Sequence, residues 1–74
     1  IRYSLSKASA VQIDIYNLKG QKVKTLVSQN QEAGEHYVTW NGTDKTGSSV
    51  PSGIYLYKLQ TDTEIQTKKC ILIK

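Results

Sequence analysis

The chain has one cysteine, one histidine, one proline, no methionine and no phenylalanine in 74 residues. A single cysteine excludes a disulfide within the chain, and with a single histidine it also excludes ordinary zinc sites, which take about four ligands. Stability must therefore come from packed secondary structure rather than from staples. No apolar run approaches the length of about 18 residues that spans a membrane as a helix, so membrane insertion is not expected. Neither a basic leader nor an apolar signal segment is present in these residues. The missing methionine and the start at Ile1 suggest a piece of a longer chain. The length allows one domain, running from residue 1 to 74 without linker, repeat or low-complexity tract.

Charge of one sign is also scarce. Six acidic residues face ten basic ones, for a net charge of +4. The bases are scattered, and only Lys22/Lys24 and Lys68/Lys69 lie close together. A nucleic-acid binder shows a basic stripe with interleaved aromatics, so no nucleic-acid partner is expected. Lysines guarding sheet edges explain the pattern more simply.

Alternation with a period of two dominates. Ile1, Tyr3 and Leu5 share one face of a first strand, and Val11, Ile13 and Ile15 one face of a second. Asn17 to Gly20 reads as a turn, with Gly20 free to take a positive φ. Lys22 to Val27 follows as the hairpin partner, with Val23, Thr25 and Val27 on one face. Leu26 breaks that alternation, which a bulge or strand end near Thr25 would explain. Residues 28 to 34 are polar and read as a loop. His36, Val38 and Trp40 alternate along another strand, with His36 facing inward or at the sheet margin. Asn41 to Ser49 is a long turn rich in residues that bond their own backbone. Gly53 to Thr61 is the strongest strand. Tyr55, Tyr57 and Leu59 face one way, Ile54, Leu56 and Lys58 the other, so it belongs in the middle of a sheet. Asp62 and Thr63 turn the chain into a last strand from Glu64 to Ile73.

This spacing predicts an all-β fold: a small immunoglobulin-like antiparallel β-sandwich of about seven strands. A barrel closed between residues 1–5 and the last strand remains the alternative.

Chemistry-bearing residues are few. A Cys70–His36 pair would need neighbouring strands. Otherwise Cys70 is a small buried hydrophobe. Asp14, Glu32 and Glu35 read as solvated carboxylates. Asn41, Thr43, Asp44 and Gly47 offer oxygen ligands for a cation. Counted from Asn41, however, the sixth position is Thr46 and the twelfth Ser52, against the Gly and Glu of a calcium loop. Side-chain bonds within the turn explain the same residues. The glycines fall at strand boundaries and form no phosphate loop. Tyr3, Tyr16, Tyr37, Tyr55, Tyr57 and Trp40 could build a sugar platform, but Trp40 reads as the main core filler. No catalytic residue, metal or cofactor is expected.

The run Ala33-Gly34-Glu35-His36-Tyr37-Val38-Thr39-Trp40-Asn41-Gly42-Thr43-Asp44-Lys45-Thr46-Gly47, followed by Val50-Pro51-Ser52-Gly53-Ile54-Tyr55-Leu56-Tyr57-Lys58-Leu59, carries a resemblance, as does Ile15 to Val23. Together these segments resemble the C-terminal sorting domains of the type IX (Por) secretion system. They resemble equally the immunoglobulin-like domain of the flagellar hook-capping protein. The motif positions are Gly20, Gly34, Trp40, Gly42, Asp44, Gly47, Gly53, Tyr55 and Tyr57. The sorting branch implies a non-catalytic domain at the C-terminus of a larger secreted or cell-surface protein of Bacteroidetes-like bacteria. Its partners would be the secretion machinery and a sortase-like protease. Recognition would fall on Lys68, Lys69, Cys70, Ile71, Leu72, Ile73 and Lys74, with Cys70 where that family has Met. The end at Lys74 reads as a natural C-terminus and favours sorting. The hook-capping branch implies a structural assembly module instead, and a carbohydrate-binding accessory domain is a third reading. An exposed last strand also allows pairing between copies or with a receptor by strand addition.

Overall fold

The computed structural model describes residues 1–73, and Lys74, the last of the tail positions, lies outside the described residues. Six strands form two antiparallel sheets: β1 (Arg2–Leu5), β2 (Ser9–Tyr16), β3 (Lys22–Gln31), β4 (Gly34–Tyr37), β5 (Gly53–Gln60) and β6 (Ile65–Leu72). β1 pairs with β4, and the larger sheet runs β3-β2-β5-β6. The architecture is the expected all-β antiparallel sandwich, with six strands among the described residues. It does not close as a barrel, because β1 pairs with β4 and not with β6.

The alternating residues explain how the sheets meet. Val11, Ile13 and Leu59 project from β2 and β5 on one face and pack against Tyr3 and Leu5 of β1. Ile1, Leu26, Val27 and Val38 close around this core. Ile13 and Ile15 are fully buried. β5, apolar on both faces, lies between β2 and β6, the central place its pattern predicts. The Tyr3 hydroxyl donates to Gln31 of β3 and ties the small sheet to the large one.

β3 departs from the expected pattern. Ile13 pairs with Val27 but Asp14 pairs with Thr25, so Leu26 is the extra residue of a bulge. A second shift, between Ile15 and Tyr16, leaves Val23 unpaired with β2. The bulge turns Leu26 and Val27 toward the core and leaves Thr25 beside Asp14 on the outer face. Val23, Thr25 and Val27 therefore do not share a face. Residues 28–31 are strand, not loop: they pair with Ser9 to Gln12. Their side chains are polar because the strand lies at a sheet edge. β4 is shorter than expected and ends at Tyr37. The Val38 amide still bonds the Ile1 carbonyl, and Thr39 and Trp40 then leave the sheet.

Candidate functional site

Six of the nine motif residues, Trp40, Gly42, Asp44, Gly47, Gly53 and Tyr55, gather at one end of the sandwich. Asp44 organises the loop from Asn41 to Ser49. Its Oδ1 accepts the Thr46 amide at 2.9 Å, the Thr46 hydroxyl at 2.7 Å and the Ser48 amide at 3.1 Å. These bonds favour the ionised carboxylate and hold Asp44 below the usual carboxylate range, the Thr46 hydroxyl contributing most. The Gly47 amide returns to the Asp44 carbonyl with Gly47 at φ 88°, a conformation that costs a side-chain-bearing residue strain. The turn bonds expected of Asn41, Asp44 and Gly47 are thus present, and Asn41 accepts from Thr43.

Trp40 is not the main core filler. It sits half-buried at this end, edge-on to Tyr55 with ring centroids 4.9 Å apart, and its Nε1 donates to the Thr43 carbonyl at 2.8 Å. The strand ends at Tyr37, and Trp40 is not among the apolar residues that pack on the Tyr3–Leu59 core. Tyr55 is buried and its hydroxyl donates to the Pro51 carbonyl at 2.7 Å, the geometry of a tyrosine corner. Trp40, Gly42, Asp44, Gly47, Gly53 and Tyr55 therefore form one structural unit that seals the end of the core. Gly20 closes the β2–β3 turn at φ 83°, where Asn17 Oδ1 accepts the Lys19 and Gln21 amides. Gly34 stands apart at the start of β4, paired with Leu5. Tyr57 is half-buried on the inner face, opposite Lys68.

The tail residues form β6, the outermost strand beside β5. Lys68, Cys70 and Leu72 point to the inner face, and Lys69 and Ile71 to the outer. Burial pushes the Cys70 thiol up. His36 lies in the other sheet, stacked on Tyr3 with centroids 5.4 Å apart, its Nε2–H donating to the Glu32 carbonyl. Cys70 and His36 are not on neighbouring strands, so the pairing condition for a dyad is not met. A groove of about 260 Å³ between β1 and β6 is lined by Arg2 and Lys68 and by Glu35 and Glu64, two charges of each sign.

Asp14 is the residue that sequence reasoning misjudged. It is 4% exposed, not solvated. It lies on the outer face of β2, a strand flanked on both sides, and its neighbours close over it. Thr25 donates to Oδ1 at 2.6 Å, Gln12 to Oδ2 at 3.0 Å, and the Lys22 ammonium stands 3.8 Å away. A lone acid between apolar residues, with Thr and Lys on the hairpin partner, is the signal that would have found it. Also unforeseen is an apolar strip on the same outer face: Tyr16, Leu56, Ile54 and Ile71 in cross-strand contact, with exposed Leu18 beside Ile54.

The aromatics do not assemble into a platform. Tyr3 and Tyr55 are buried, and Tyr37 is exposed on the small sheet with the Arg2 guanidinium 6.0 Å from its ring centroid. Among the described residues no cluster of His, Cys, Asp and Glu could hold a metal ion, and no helix is long and apolar enough to cross a membrane.

Residues 1–64 match the family model of the FlgD Ig-like domain. No curated protein and no solved structure matches the chain. The match takes the hook-capping branch of the resemblance and gives the sorting branch no support. It covers β1 to β5 with the Trp40–Tyr55 unit and stops before β6. The chain belongs to the FlgD Ig-like domain family.

Proposed function

We propose that this domain is a non-catalytic structural module that supports protein assembly, of the kind found in the hook-capping protein. The observation that carries the reading is the family match over residues 1–64. The site geometry agrees with it. The motif residues are spent on sealing the core and fixing one loop. What the domain offers a partner is surface: a sheet edge, an apolar strip and a rigid loop. The test is a graft of this chain in place of the Ig-like domain of a hook-capping protein. Hooks that polymerise with the chimera support an assembly role. A folded, exported chimera that yields no hooks overturns it.

A further inference from the structure

The backbone of β6 has a direction that the hydrogen bonds determine. The Thr61 amide bonds the Glu64 carbonyl across the tight turn. In an antiparallel ladder bonded and non-bonded pairs alternate. Gln66, Lys68, Cys70 and Leu72 therefore bond β5 through Leu59, Tyr57, Tyr55 and Gly53. The amides and carbonyls of Ile65, Thr67, Lys69 and Ile71 point away from the sheet. The pairing with β5 runs through eight residues without a shift, so this outward row is regular. Among the described residues nothing pairs with it.

The outer face beside that row is apolar and basic. Ile71 is 68% and Ile65 59% exposed, and Ile71 continues the strip of Ile54, Leu56, Tyr16 and Leu18. Lys58 and Lys69 stand on the same face with Lys19 at its end. Among the described residues the acid on that face is Asp14, buried against Lys22. From Ile65 to Ile73 there are two lysines and no acid.

We infer that β6 accepts an extended segment of a partner chain as an added strand, and that this segment carries an acidic side chain opposite Lys69 and apolar side chains opposite Ile65 and Ile71. Backbone bonds to the outward row supply general affinity, and the outer-face side chains supply selection. A second copy is a poorer occupant. Two copies paired on this edge set two lysines against two lysines with no acid in either, and like charges across a strand pair are destabilising. The inference rests on the β6 edge and not on the hook-capping reading.

The test is selection of a displayed library of random peptides, about twelve residues long, on the immobilised chain. Enriched peptides are expected to carry one Asp or Glu with an apolar residue two positions away on one side and another four positions away on the other, the spacing that faces Lys69, Ile71 and Ile65. On binding they should slow amide exchange at Thr67, Lys69 and Ile71. Thr67→Pro removes one outward amide without touching a bond to β5, and should weaken binding about tenfold. Lys69→Glu, which leaves the backbone intact, should shift enrichment from acidic to basic peptides. No enrichment, peptides that bind Thr67→Pro equally well, or indifference to Lys69→Glu overturns the inference. Concentration-dependent dimerisation that protects the same amides in the free chain would also overturn it, in favour of a second copy.

Discussion

The large sheet has two edges, and they are built differently. β3 is interrupted by two register shifts. Its upper part is covered, since the Lys45 amide bonds the outward carbonyl of Val23 and the Lys24 ammonium bonds the Thr43 hydroxyl. Its lower part, residues 28–31, is polar. Among the described residues β6 has no bulge and no covering loop, and it has an isoleucine near each end. Bulges, covers and polar side chains are the usual protections of a sheet edge. The difference teaches that protection here is selective. The loop organised by Asp44 and Trp40 closes one edge, while the other keeps only two lysines, which discourage a like-charged strand without blocking the backbone.

The comparison breaks most readily at Asp14, which fastens β3 to β2. Asp14→Ala should cost about 2 kcal/mol in urea unfolding, because it strips a buried network of its acceptor. It should also make β3 a second sticky edge, seen as more aggregation than the parent chain shows at the same concentration. Gly47→Ala attacks the cover itself. Strain at φ 88° should cost about 1 kcal/mol and speed exchange of the Lys45 amide, leaving β6 unchanged. Acid should act on the same loop. The Asp44 pKa is lowered in the folded chain, so its contribution is present above the unfolded value and is lost as pH falls through the folded one. Nuclear magnetic resonance titration should show the Thr46 and Ser48 amides shifting below the ordinary carboxylate range. The smallest effect belongs to the open edge. Ile71→Ala should change stability by no more than about 0.5 kcal/mol, since the side chain is mostly in water.

Much of this contrast was legible from residue order. The period of two in Val11, Ile13 and Ile15 and the doubly apolar β5 placed the central strands, and Leu26 announced the bulge. What was hidden had a physical reason. Residues 28–31 carry no apolar face, so an edge strand there looks like a loop. Trp40 alternates with Val38 as a strand residue would, yet the Thr43 carbonyl and the Tyr55 ring draw it out of line. Asp14 looks solvated until both neighbouring strands are in place, since burial on an outer face is a property of the sheet and not of the strand. The motif glycines and aromatics were legible as a unit, but their work is to seal the core. The exposed strip from Leu18 to Ile71 was invisible because its members come from four separate segments.

Amide hydrogen exchange along β6 in the free chain tests the open edge most directly. The account predicts alternation: Gln66, Lys68, Cys70 and Leu72 slow, Thr67, Lys69 and Ile71 fast, while the Lys45 amide on the covered edge is slow. Uniform protection through residues 66–72 would contradict it, because the outward row would then already be bonded to something.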